Sequence, residues 1–325
     1  MARSQNFWFG FSDYCLADVG GVTLDTLHRD ADALCRSFEQ LELVAKRLGV
    51  LPPAPHLPGF AYPHVASLGA EIDFPPDSEP KPRPLLKCAA DIDRLREPTD
   101  YLACELIQQR RELATQLKRR RPDAAVTIGH SFEGPVTTAA LLLGQDFFTL
   151  PYDDPARAHK LMEFSVRSAL NYCRAMYKHL GWTIEPRPAG FPDDFAGMFP
   201  PAQFEEFVAP YWEMFYQGLL ATGRSLHSEL LHPEHLKNLK QLRIDQFDPG
   251  GDQYLTPEIL RAQCPTAFQL CLQPWETRDL PARDLQLLYR HRASFEPAVM
   301  ALELNRLVEE PKMRAVLEVA WELKG

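Results

Sequence analysis

The stretch RSLHSELLHPEHLKNL, residues 224–239, sets an imidazole and a carboxylate two residues apart, at His227 and Glu229. Its first half alternates apolar and polar residues as a strand does, so both side chains share one face. Such a pair can ligate one metal ion or pass a proton. Other polar residues stand just beyond apolar runs: His130 and Glu133 after AAVTIG, Asp193 and Asp194 in PDDFAG, Asp245 and Asp248 in RIDQFDPGGD, Cys271 and Gln273 in TAFQLCLQ, and Glu303 and Asn305 in PAVMALELN. Burying such groups without partners is costly, which asks what fold would gather them.

From about residue 100 the chain alternates helix and strand patterns. YLACELIQQRRELATQLKRR is an amphipathic helix, AAVTIGHSF a strand, and GPVTTAALLLG a helix with Pro135 in its first turn. A long helix runs from the Asp154 cap and Pro155 to Gly181. PAGFPDDFAGMF reads as a turn-rich segment, and the following helix is interrupted near Pro210. RSLHSELL, RIDQFDPG, TAFQLCLQ and PAVMALELN then read as strands, each followed by a helix. Parallel strands need such crossovers, and a series of them favours a (β/α)8 TIM barrel. Neither GxGxxG nor GxxxxGK[ST] occurs, as an open nucleotide-binding sheet would require. Residues 1–100, with a helical pattern over 23–49 and then a proline-crowded stretch, read as an N-terminal cap on a single domain spanning 1–325.

In a barrel, polar residues at the C-terminal ends of strands carry the chemistry, which selects the residues named above. Some have plain structural explanations: Glu133 could partner a helix dipole, and turn geometry alone accounts for the glycines after Asp248. Phe7, Trp8, Phe9 and Tyr14 could form an aromatic wall or pack in the core.

Composition excludes several classes. A chain of 325 residues with 45% hydrophobic content can bury a large core, and its net charge of −9 argues against nucleic acid as a partner. The basic run KRRRP at 118–122 ends a helical pattern, where cations favour the dipole and solvent. No window is apolar enough for a membrane span, and a cytoplasmic location is expected. Seven cysteines without a CxxC fit reduced thiols.

Three segments, GHSFEGPVTTAALLLG, DDFAGMFPPAQFEEFVAPYWEMF and PGGDQYLTPEIL, resemble the uroporphyrinogen decarboxylase superfamily, and the likeness extends from about residue 60 to the C-terminus. The resemblance implies a (β/α)8 barrel and one of two chemistries. One is metal-free decarboxylation of uroporphyrinogen; the other is methyl transfer by zinc enzymes that act with corrinoid proteins. The decarboxylase branch carries an N-terminal arginine-rich motif for porphyrinogen carboxylates, whereas residues 1–20 here hold only Arg3.

The methyltransferase branch uses His-x-Cys at a strand end plus a later Cys from the last strand. Here His227 and Glu229 stand on the first pattern and Glu303 near the later position, so carboxylates replace both thiolates; Cys271 is a further candidate ligand. Such a zinc ion would be a harder Lewis acid, suited to an oxygen or nitrogen leaving group. The expected activity is methyl transfer from a methoxy compound or methylamine-type donor to a corrinoid protein. Glu133, Asp194 and His130 would manage protons, and Phe7, Trp8, Tyr14 and Asp248 would contact the substrate. The corrinoid comes with a partner protein, since no DxHxxG segment occurs. The small methylated substrate and a homodimer complete the expected partners. A decarboxylase is the alternative, and a non-catalytic binding barrel a second.

Overall fold

The structure, a computed structural model, describes residues 6–124 and 132–324. Its strands are β1 Phe7–Phe11, β2 Ile72–Asp73, β3 Lys81–Pro82, β4 Arg187–Pro192, β5 Ala221–His227, β6 Gln246–Asp248, β7 Ala267–Cys271 and β8 Val299–Leu304. The short strands β2 and β3 pair only with each other, antiparallel. The other six make one parallel sheet in the order β1-β8-β7-β6-β5-β4. From β4 to β8 each helical crossover returns to the adjacent strand, which is the winding of a barrel and not of a doubly wound sheet. The architecture is TIM-barrel-like, with six parallel strands described where eight are expected. Of the strand expected at AAVTIGHSF, residues 125–131, His130 among them, lie outside the described residues.

Side-chain alternation sorts the strands into two faces. In β8, Met300, Leu302 and Leu304 are fully buried, while Val299, Ala301 and Glu303 between them are only partly so. The first set meets the surrounding helices; the second faces the inside of the arc with Ser225 and His227 of β5 and Gln269 and Cys271 of β7. Truncating a residue such as Leu302 to alanine would cost about 2–5 kcal/mol, since its neighbours cannot all collapse onto the gap. The inner side encloses a cavity of about 380 Å³ bounded by Gly190, Ser225, His227, Asp248, Gln269 and Val299.

Two strands depart from the sequence reading. PAGFPDDFAGMF, read as turn-rich, contributes β4. Pro188 and Pro192 each lack an N–H, and Gly190 is needed because a Cβ there would meet the Ser225 carbonyl oxygen at 2.6 Å. FWFGF is β1, paired with β8 so that Trp8 lies beside Ala301 and Gly10 beside Glu303. Its alternation is hidden because both faces carry aromatic residues.

Helix ends follow local chemistry. Asp154 accepts the Arg157 N–H at 3.1 Å to open the helix Pro155–Leu180, and Gly181, at φ 69°, closes it. The helix over 201–218 breaks at Val208, two residues before Pro210. The helix Ala31–Leu48 is tied to the closing helix Glu310–Lys324 by Arg47, whose Nε and Nη2 donate to Glu310 at 2.9 and 2.6 Å. The basic run is consumed locally, Arg120 pairing with Asp32 and Arg121 with Glu42 and Asp123. All seven cysteines are free, and among the described residues no helix is long and apolar enough to cross a membrane.

Candidate active site

His227 ends β5, and Asp248 ends the neighbouring β6 in register with it. His227 Nδ1 lies 2.9 Å from Asp248 Oδ2, and Nε2 lies 3.3 Å from Asp194 Oδ1. Burial opposes a charge on this imidazole, but the Asp248 hydrogen bond and the charges of Asp248, Asp194 and Glu229 outweigh it and raise its pKa to about 9. At neutral pH the ring is therefore an imidazolium between carboxylates. Burial would raise Asp248, yet His227, the Gly250 N–H and Gln269 hold it below its ordinary value.

Beyond β4 the chain turns through the aspartate pair. Asp193 is fully buried and accepts the N–H groups of Val136 at 3.2 Å and Thr137 at 2.7 Å and the Trp212 Nε1–H at 2.6 Å. It caps the helix Pro135–Leu143, where a negative charge meets unsatisfied N–H groups. Gly134, just before that helix, passes so close that a Cβ would fall 2.5 Å from Asp193 Cβ.

This packing holds Glu133 at the mouth. Glu133 is 6% exposed, and its Oε2 has no hydrogen-bond partner among the described residues. Burial first, then the charges of Asp194 and Asp193, hold the pKa of its carboxyl well above the ordinary value. Asp194 is raised too, by burial against the pull of His227, and its buried Oδ1 makes no hydrogen bond despite lying close to the imidazole. Tyr62 stands nearby; burial and the charges of Glu133, Glu79 and Asp194 push its hydroxyl up to about 12.

Glu229 and His227 converge on the turn after β6. The Gly251 N–H donates to Glu229 Oε1 at 2.9 Å and the Gly250 N–H to Asp248 Oδ1 at 2.9 Å. Gly250 has φ 57°, and a Cβ there would lie 2.6 Å from Glu229 Oε1 and 2.8 Å from His227 Cε1. Cys271 reaches the same turn from β7: its Sγ contacts the Gly250 carbonyl at 3.5 Å and accepts from Gln273 Nε2 at 3.1 Å. Burial pushes this thiol up to about 12.

Glu303 is not brought to this group. It lines a separate cavity with Asp13, Tyr14, Glu79 and Trp275, and the charges acting on it are those of Asp13 and Glu79. Among the described residues no three His, Cys, Asp or Glu side chains gather around a point that could hold a metal. Both His227 nitrogens face carboxylates and Glu303 lies apart, so these residues do not fit the expected zinc set of His227, Glu229, Glu303 and Cys271. The aromatic wall also divides. Phe7 points outward, its ring 4.8 Å from that of Trp321 on the closing helix, because its register partner is the outward Met300. Trp8 faces the interior and is 54% exposed, and Tyr14 lines the Glu303 cavity.

Residues 62–253 match the family described as Uroporphyrinogen decarboxylase (URO-D). The chain belongs to this family. The URO-D match spans Tyr62, Glu133, the aspartate pair, His227, Glu229 and Asp248, and leaves β7 and β8 outside it. The fold is also that of a methyltransferase from Methanosarcina mazei, 15% identical, with a TM-score of 0.70 over 100% of this chain and 95% of that one. A second solved structure, the putative vitamin-B12 independent methionine synthase from Listeria monocytogenes, is 12% identical with a TM-score of 0.48, covering 100% of this chain and 98% of that one. No curated protein matches the sequence.

Within the URO-D fold, the sequence reading names Asp193 without its role and leaves out Tyr62 and Gln269. Asp193 was separable from Asp194 only by parity at the end of β4, a strand that its prolines conceal. Tyr62 lies in the proline-crowded stretch, where no period marks it. Gln269, which hydrogen-bonds Asp248, was legible: in TAFQLCLQ it shares the inner face with Cys271.

Proposed function

We propose that this chain is a methyltransferase of a corrinoid-dependent demethylation system, taking a methyl group from a methoxy compound or methylamine-type donor. The observation that carries this reading is the sign of the mouth. The charges of Asp194, Asp248 and Glu229 act on one imidazolium, which in turn acts on Glu133, and Asp13, Glu79, Glu303 and Glu309 line a separate cavity. The two arginines of that cavity are already bound, Arg306 to Asp18 and Arg278 to Asp279. A tetrapyrrole bearing many carboxylates would be repelled here, since holding it needs free guanidinium groups. Family membership and the fold shared with the Methanosarcina mazei methyltransferase support methyl transfer as the remaining chemistry.

In methyl transfer the electron pair of the broken C–O or C–N bond stays on the heteroatom. An alkoxide leaves poorly at neutral pH, so a proton must be at hand. Glu133 is the group placed to supply it, because burial makes that carboxyl hold its proton more tightly than a surface glutamate does. His227, held by Asp248, offers a fixed positive charge beside Asp194 and balances the charge left when Glu133 gives up its proton. The corrinoid, carried by a separate protein, supplies the nucleophilic centre that accepts the methyl group. Zinc enters no step, because the described donors do not converge.

The test is methyl transfer to a corrinoid protein, followed by the change in its visible absorbance, with methoxy and methylated-amine donors offered in turn. Turnover of uroporphyrinogen without any methyl transfer would replace this reading with the decarboxylase one.

A further inference from the structure

Asp193 and Asp194 are adjacent in the chain and opposite in environment. Asp194 stands beside His227 at the mouth, whereas Asp193 is fully buried and takes no part in the methyl-transfer steps. Its carboxylate is engaged on the Glu133 side: Oδ1 accepts the Thr137 N–H, and Oδ2 accepts both the Val136 N–H and the Trp212 Nε1–H. Its main chain is engaged on the His227 side. The Asp193 N–H donates to the His227 carbonyl at 2.9 Å, and the Asp193 carbonyl accepts the Ser228 hydroxyl at 2.8 Å. One residue therefore joins the segment that carries Glu133 to the end of the strand that carries His227.

The surrounding contacts leave that junction little freedom. The Gly134 N–H donates to the Pro192 carbonyl at 2.6 Å, the Thr138 hydroxyl to the Glu133 carbonyl at 3.1 Å, and the Phe195 N–H to Thr137 Oγ1 at 3.3 Å. Beyond Asp194, Gly197 lies so close to the chain after β5 that a Cβ would overlap the Leu230 carbonyl oxygen. Trp212 closes the set from the helix Ala209–Gly218. It is fully buried, packs edge-on against Phe204 with ring centres 5.2 Å apart, and gives its only polar hydrogen to Asp193. Neutral N–H donors hold this buried carboxylate, so losing one of them weakens the hold of the others.

We infer that Asp193, backed by Trp212, is a positioning residue that fixes Glu133 relative to His227. The inference rests on the methyltransferase reading only for what Glu133 does once it is placed. A carboxyl that gives up a proton in the transition state must lie within hydrogen-bond reach of the leaving heteroatom, so its placement governs the rate more than the binding of the donor. Two substitutions separate the clamp from the bulk of the core. Asp193→Asn keeps the size of the side chain but leaves one oxygen for the N–H donors and turns an NH2 group toward another. Trp212→Phe keeps an aromatic ring in place and removes the indole N–H.

The purified chain alone tests the clamp. Hydrogen exchange followed by NMR should quicken about tenfold or more at the Val136 and Thr137 amides in each variant, while amides of the helix Ala31–Leu48 keep their rates. Methyl transfer from a methoxy donor tests the positioning. In Asp193→Asn kcat should fall about 10²-fold, a loss that misplacing a group by about 1 Å produces, and in Trp212→Phe it should fall less, with KM little changed in both. Combined with Glu133→Gln, neither substitution should slow the enzyme further, because each acts through Glu133. Trp212→Phe carries the test if Asp193→Asn does not fold. Unchanged exchange overturns the clamp whatever the activity. Quickened exchange with full kcat, or a double variant slower than Glu133→Gln alone, limits Asp193 to stability and overturns the positioning role. The exchange measurement needs no donor, so the methyltransferase reading fails separately. A wild type that transfers no methyl group and decarboxylates uroporphyrinogen sinks that reading, and Asp193 must then show the same non-additivity with Glu133 in the decarboxylation.

Discussion

His227 Nδ1 and Asp248 Oδ2 are 2.9 Å apart, one at the end of β5 and the other at the same level of β6. The two strands run parallel and in register, so the distance is set by the sheet and not by flexible loops. This pair decides the charge of the site.

Removing the carboxylate charge tests that statement. In Asp248→Asn the His227 pKa should fall from about 9 toward its ordinary 6.5, read from imidazole resonances by NMR titration. The pair also links stability to pH. A histidine whose folded pKa is raised contributes stability fully below pH 6.5, and loses it as pH climbs through about 9. The melting temperature of the wild type should therefore decline over that window, and the Asp248→Asn variant should lose that component. An unchanged His227 titration in the variant would mean that Asp194 and Glu229 alone set the charge.

The proton on Glu133 gives a second prediction. Glu133→Gln keeps the shape but cannot donate, and methyl transfer from a methoxy donor should slow by about 10²–10⁴-fold, the usual worth of a positioned acid. A quaternary ammonium donor, which leaves as a neutral amine, should lose far less. With a methoxy donor, the wild-type rate should persist above the pH at which an ordinary glutamic acid ionises, since burial raises the Glu133 carboxyl. Equal losses with both donors would assign Glu133 a structural role.

Much of this arrangement was legible because alternation does not depend on context. Asp248 stands beside His227 because both end neighbouring strands in register, whereas β5 stops at His227 and Glu229, read as part of that strand, meets His227 at Gly250 from the bend beyond it. Parity within a strand does not measure distance between strands, so it could not show that Glu303 would sit with Asp13 and Glu79 instead of His227. Nor could it resolve β1, where aromatic residues on both faces hide which of Phe7 and Trp8 points inward. Prolines hid β4 for the opposite reason: they suggest a turn wherever the missing N–H is not known to be tolerated. The resemblance supplied zinc ligands by position, and the tertiary structure gives those positions different partners.

The separation of Glu303 from His227 makes metal dependence testable. Prolonged dialysis against a chelator should leave methyl-transfer activity unchanged, with metal content followed by plasma mass spectrometry. His227→Ala and Glu229→Ala should alter activity without altering metal content. One zinc per chain, lost together with activity in either variant, would restore the metal-centred reading and require Glu303 or another donor to move toward His227.

Gly250 offers a test of the site's geometry that leaves every charged group in place. Its φ of 57° lies in the left-handed region, where a side chain costs about 1–2 kcal/mol. An added methyl would also press on Glu229 Oε1 at 2.6 Å and His227 Cε1 at 2.8 Å. Gly250→Ala should therefore lower stability by at least that conformational cost, measured by urea denaturation. It should also displace His227 from Asp248, bringing the imidazole pKa down from about 9. The two effects have different origins. A stability loss with an unmoved His227 titration would mean that the turn yields while the β5–β6 pair holds, and that the imidazolium needs only the strand register to stay in place.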